Sequence, residues 1–154
     1  VENDTPILLR GQGNAGASGG AFVGNWISDG VTEVSAWVRH DGPVPVNFFA
    51  RISTPFNFPA GVALDFVPVL PNVWTEVVFD VSATSPQFVT FEGSDYNTVF
   101  SNIGNVQFGV YVPAALEGYA PAVTVDLDQP TITPEPASLG LFTAGALALL
   151  RRRH

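Results

Sequence analysis

Apolar residues recur at every second position through most of this chain and nowhere hold a spacing of three or four, which leaves strands as the only regular element its body can form. Across residues 31–39, Thr32, Val34, Ala36 and Val38 alternate with Glu33, Ser35, Trp37 and Arg39. Residues 46–52 repeat the pattern, with Val46, Phe48, Ala50 and Ile52 on the inward side. His40-Asp41-Gly42-Pro43 between them reads as a hairpin turn. Thr75, Val77, Phe79 and Val81 alternate with Glu76, Val78 and Asp80, and Val106, Phe108, Val110 and Val112 with Gln107, Gly109 and Tyr111. Further strands are expected at residues 22–27, 62–67, 74–81, 88–91, 106–112 and 123–132.

About eight short strands separated by Gly, Pro, Asn and Asp predict an all-β fold, an antiparallel sandwich. Pro55, Pro59, Pro68, Pro71 and Pro113 fall at predicted strand ends, where a missing N–H does least harm. The glycine-rich stretch 11–20 predicts a long loop. Its Gly11-Gln12-Gly13-Asn14-Ala15-Gly16 matches the spacing of a dinucleotide fingerprint, but Ala17-Ser18-Gly19-Gly20 follows where that site needs a helix, so a loop is the expectation.

The pattern changes abruptly after residue 133. Pro134-Glu135-Pro136 leads into residues 137–150, which carry no charge, and Arg151-Arg152-Arg153-His154 follow. A helix over 137–150 is apolar all round, unlike a surface helix of a globular domain. Its span is roughly 21 Å at about 1.5 Å per residue, short of a hydrocarbon core of about 30 Å. Snorkelling arginines and local thinning absorb such a mismatch, and Arg151, Arg152 and Arg153 favour the cytoplasmic side. The expected organisation is a β-sandwich domain at 1–133 and a sorting segment at 134–154 with a short hydrophobic transmembrane helix at 137–150.

Those residues resemble the PEP-CTERM sorting signal of Gram-negative bacteria: the Pro134-Glu135-Pro136 motif, then Ala137-Ser138-Leu139, the apolar run, and the arginine cluster. The resemblance implies a membrane protease-transpeptidase, exosortase, as partner, acting at Pro134, Glu135 and Pro136. It also implies an inner-membrane intermediate that leaves for the cell surface or extracellular matrix. A second resemblance lies in the body. Phe22-Val23-Gly24-Asn25-Trp26, then Val34-Ser35-Ala36-Trp37-Val38-Arg39, then Trp74-Thr75-Glu76-Val77-Val78-Phe79-Asp80, and finally Val125-Asp126-Leu127-Asp128 look like a galactose-binding-like jelly roll, an architecture shared with carbohydrate-binding modules.

Charge and composition narrow the partners. Residues 1–133 hold three arginines, no lysine and thirteen of the fourteen carboxylates, ten net negative charges before counting His40. Such a surface repels phosphate backbones, which argues against nucleic acid as a partner. No cysteine is present, so disulfides, thiol nucleophiles and Cys-based zinc sites are excluded. No methionine is present either, even at position 1, which predicts an N-terminal secretory signal that has been removed or lies outside the residues given.

A catalytic triad would have to use His40, which the turn reading places in solvent beside Asp41, and no Gly-x-Ser-x-Gly elbow exists. No carboxylate pair is marked out for glycoside hydrolysis, so the expectation is a protein that is not an enzyme. The candidate ligand site is Trp37 with Arg39 and Phe49 with Arg51, each pair two residues apart on the face opposite the core. Hairpin pairing of their strands would join them into one patch, extended by Gln107 and Tyr111. Aromatic rings stack on sugar faces while planar polar groups bond hydroxyls. The competing reading is that the patch is buried, or that both arginines pair with nearby acids. The loop Thr54-Pro55-Phe56-Asn57-Phe58-Pro59 is a second candidate, with Phe56, Asn57 and Phe58 as its contacts, unless it plugs the end of the core. The jelly-roll resemblance implies a structural calcium ion at Asp126 and Asp128, with Glu2, Asp4 and Asp29 in reserve. The expected function is non-catalytic binding, of polysaccharide in a biofilm or matrix. The alternatives are a structural matrix protein without a ligand site and a weak glycan hydrolase.

Overall fold

The computed structural model describes residues 5–9 and 19–134. Among them are eight strands: β1 (Thr5–Leu9), β2 (Val31–His40), β3 (Asn47–Ser53), β4 (Ala60–Leu64), β5 (Thr75–Asp80), β6 (Phe88–Glu92), β7 (Asn105–Val112) and β8 (Val125–Pro134). One short helix, α1 (Tyr96–Phe100), and a 3-10 turn at Ala114–Leu116 complete the regular structure. The strands form a five-stranded sheet in the order β1-β7-β3-β4-β6 and a three-stranded sheet in the order β5-β2-β8. All pairings are antiparallel.

The core lies between the two sheets, and alternation places it there. Val34, Ala36 and Val38 from β2 meet Phe48, Ala50 and Ile52 from β3, with Val77, Phe79, Phe108 and Val110 between them, all buried. Burying large aliphatic and aromatic side chains is the main stabilising term, about 1.5–3 kcal/mol each. The inward sides read from the alternation in β2 and β5 are the sides the structure buries, while in β3 and β7 the outward Phe49 and Gln107 are buried as well.

Four local expectations are corrected. First, β2 and β3 do not form a hairpin; they lie in different sheets, and residues 41–46 cross between them. Pro43 and Pro45 remove alternate backbone donors, so a ladder cannot continue through this stretch. Second, His40 is not a solvated turn residue. It is buried, 1% exposed, with Nε2 2.9 Å from the Val69 carbonyl oxygen. Third, residues 22–27 are turns instead of a strand. Asn25 accepts from the Ser28 backbone at 3.0 Å, a local bond that competes with extended pairing. Trp26 then folds inward, its N–H donating to the Phe100 carbonyl at 2.9 Å. Fourth, the helix α1 was not expected. Asp95 caps it by accepting from the Thr98 N–H at 2.8 Å, and Val99 and Phe100 bury its inner face. The predicted glycine-rich loop is described only from Gly19 on. Residues 11–16, Glu135, Pro136, the segment 137–150 and Arg151, Arg152 and Arg153 lie outside the described residues. Among the described residues no helix is long and apolar enough to cross a membrane.

The two ends of the sandwich differ. β2 begins at Val31, whose N–H donates to the Trp26 carbonyl at 3.0 Å. Trp26 and Gly24 are bonded in turn to Phe100 and Ile103, and Gly104 to Ser53 at the close of β3. Pro134, the last residue of β8, is paired with Val31. This is the sorting end. His40, Val46, Val69 and Val125 meet at the opposite end through bonds among His40, Asn72, Val46 and Val69.

Two exposed carboxylates tie loops to this frame. The Thr124 N–H donates to Asp41 at 2.7 Å and the Thr98 N–H to Asp95 at 2.8 Å, and these bonds, first among their causes, hold both carboxyls below the ordinary value of 3.8. A depressed folded-state value adds stability above the unfolded value and loses it as pH falls through the folded one. The contribution of these two groups is therefore expected to be fully present and independent of pH near neutrality, and to be lost only below about 4. Titration of the two carboxyl resonances by NMR checks this; a midpoint above the ordinary value for either would contradict it.

Candidate surface site on the three-stranded sheet

β2 is the central strand of its sheet, so its outward side chains have neighbours on both sides. Arg39 stands opposite Asp126 of β8, and Trp37 opposite Asp128 of β8 and Glu76 of β5. Arg39 donates from Nη2 and Nε to Asp126 Oδ2 at 2.7 and 3.0 Å. Its guanidinium carbon also lies 5.0 Å from the centre of the Trp74 ring. Trp37 is 39% and Trp74 41% exposed. The remaining guanidinium nitrogen, Nη1, has no hydrogen bond to any described residue. The half-open Trp74 thus stacks on a cation that an acid also holds in place, and the half-open Trp37 stands two residues from Arg39 along the same strand on the same face. Stacking on an aromatic face is worth about 0.5–2 kcal/mol to the cation, and the exposed ion pair itself about 0–1 kcal/mol.

Trp74 was not among the expected site residues. The alternation Glu76, Val78, Asp80 extended back by two reaches it and puts it on the outward face. Only the fold shows that this face adjoins Arg39. Exposed Leu70 and Val73 belong to the connection that leads into Trp74.

Phe49 and Arg51 are not part of this surface, because β3 is in the other sheet. Phe49 is 3% exposed. Its ring lies over Gly109, where a Cβ would collide with it, and 4.8 Å from the Tyr111 ring. Arg51 donates to Glu92 Oε2 at 2.5 Å and Oε1 at 3.1 Å, to Asn57 Oδ1 at 2.9 Å and to the Asn57 carbonyl at 2.8 Å. Gln107 adds a bond to Asn57 Oδ1 at 3.1 Å. Two candidates kept apart in sequence, the Arg51 strand and the loop at 54–59, are therefore one unit. The arginine clamps the loop from below, with Asn57 in the left-handed region at φ 66°. The loop carries Phe56 at 90% and Phe58 at 57% exposure. Both arginines do pair with acids, as the competing reading had it.

Asp126 is committed to Arg39, and Asp128 accepts from the Gln129 N–H at 2.8 Å. Asp29 lies at the sorting end, in the turn before Val31, while Asp126 pairs near the opposite end; Glu2 and Asp4 lie outside the described residues. The expected calcium set is thus not assembled from Asp126, Asp128 and Asp29, and among the described residues no three His, Asp or Glu side chains gather to hold a metal ion.

No curated protein and no solved structure matches the chain. One family description does match, over residues 133–153: the chain carries a PEP-CTERM protein-sorting motif, which supports an exported protein processed by exosortase through a membrane-anchored intermediate.

Proposed function

We propose that the sandwich is a non-catalytic polysaccharide-binding module of the galactose-binding-like jelly-roll kind, displayed at the cell surface or in the extracellular matrix of a Gram-negative bacterium. The observation that carries the binding reading is the pair of half-exposed tryptophans, Trp37 and Trp74, beside a fixed Arg39 on one open sheet face. Flat apolar sugar faces stack on indoles, and Arg39 Nη1 offers a donor whose position is already set, which lowers the ordering cost of binding. The jelly-roll reading is supported by sequential strands that pass from one sheet to the other. In the sorting segment, Pro134, Glu135 and Pro136 form the processing site. Residues 137–150 act as the temporary membrane anchor, and Arg151, Arg152 and Arg153 mark its cytoplasmic side.

A glycan array read with tryptophan fluorescence tests the binding. Saturable binding is expected, and Trp37→Ala should weaken it about tenfold, which corresponds to about 1.4 kcal/mol. Phe56→Ala should leave it unchanged, since that loop stands on the other sheet. Loss in Phe56→Ala alone would move the site to the loop. No binding to any glycan would leave a structural matrix protein as the reading.

A further inference from the structure

The sorting motif begins inside the fold. Its match starts at residue 133, and Thr133 and Pro134 are the last two residues of β8. They are paired with Glu33 and Val31 of β2. An enzyme that takes the chain at this motif needs it extended and open, because strand-like recognition uses the same backbone groups that a sheet neighbour uses. β2 and the enzyme therefore compete for one segment.

β8 is built to lose that competition at this end. It is an edge strand, with β2 as its single neighbour among the described strands. Its pairing with β2 shifts register twice, once between Val31 and Glu33 and once between Ser35 and Trp37. Gln129 interrupts the strand at φ 48°. Pro130 and Pro134 have no N–H to give to a ladder. From Leu127 to Pro134 the side chains are exposed except Ile132, which packs against the core. Segments with few buried contacts and an irregular ladder open first.

We propose that exosortase engages residues 131–134 as an extended strand after they peel from β2, with Ile132 as the pin that holds them closed beforehand. The inference rests on the sorting-motif reading. It makes the end of β8 part of the enzyme's binding surface and places the enzyme against the sorting end of the domain.

The test uses the full chain in a cell that carries exosortase, followed by immunoblot for precursor and processed forms. The chain has no cysteine, so E33C/T133C introduces one possible disulfide, across a registered pair, in an oxidising compartment. The oxidised double variant is expected to accumulate as unprocessed precursor, while each single variant, and the double variant after reduction, is processed like the unaltered chain. Processing of the oxidised form at the unaltered rate would overturn the proposal. A second variant, Ile132→Ala, needs no disulfide: it frees the pin and is expected to speed conversion of precursor, and an unchanged or slower rate would count against peeling. Absence of processing in the unaltered chain would instead sink the sorting reading, and this inference with it.

Discussion

Trp26→Ala is expected to be the most damaging single truncation in the domain, costing about 3–5 kcal/mol. Trp26 is 1% exposed and contacts the Phe100 ring edge-on at 5.9 Å. Its indole N–H donates to the Phe22 carbonyl at 3.2 Å, its backbone N–H to Phe100, and its carbonyl accepts from Val31. The side chain thus closes the core at the sorting end, and the backbone of the same residue meets the start of β2. Its removal leaves a cavity that the turn cannot fill, since backbone bonds to Phe100, Ile103 and Val31 hold that turn in place. The thermal midpoint should fall by roughly 10–20 °C for a domain of this size. Hydrogen exchange should also show lost protection at Val31 before any loss at Val38. A cost below about 1 kcal/mol would mean that the turn is a surface appendage, outside the cooperative unit.

Gly104→Ala is the second large effect, and its cause is opposite: too much matter where there is no room. A Cβ at residue 104 would run into the Cα and N of Pro55. Those are main-chain atoms at the start of the 54–59 loop, and no rotamer change moves them aside. The Gly104 N–H also donates to the Ser53 carbonyl at 2.9 Å, so the two segments cannot separate without losing that bond. Overpacking typically costs about 1–3 kcal/mol, and a backbone collision belongs at the top of that range. At Gly109 the obstacle is the Phe49 ring, which can tilt, so Gly109→Ala should cost less. Urea unfolding of the two variants gives the order directly; a larger loss at Gly109 would contradict this account.

The identity of β2, β3, β5 and β7 was legible because it depends on alternation, a property of neighbours in sequence, whereas β1 was not expected and residues 22–27 are not a strand. The inward faces of β2, β3, β5 and β7 follow from it. The sheet to which each strand belongs does not, and that is why Trp37 and Phe49 looked like neighbours. A hairpin and a crossover from one sheet to the other bury the same faces of both strands. Only the spacing of Pro43 and Pro45 favours the crossover. Short local motifs misled for another reason. Phe22 to Ile27 has strand-like residues, yet Asn25 and the flanking glycines settle it as turns. Tyr96 to Phe100 is too short to show a helical period, although Asp95 three residues before Thr98 is the signature of a cap. The sorting motif was legible in full, because it is read along the chain. The partners of the two arginines, Asp126 and Glu92, were not: each lies more than forty residues away, and charge pairing at that range is decided by topology.

The β2–β8 pair has a mechanical meaning as well. Trp37 and Arg39 sit on β2 toward one end, and the chain leaves β8 at the other. A pull on Trp37 against a pull on the chain after Pro134 runs along the strand axis and tries to slide β8 past β2. Sliding loads every rung between the strands at once, whereas peeling from Pro134 breaks them one after another. The same ribbon is therefore stiff under a pull and yielding under a grip from its end. Stretching single molecules should show it: a handle at Trp37 and another after Pro134 should need a higher rupture force than handles placed at Val31 and after Pro134. Equal forces in the two geometries would mean that β8 leaves by one route whatever the direction of load.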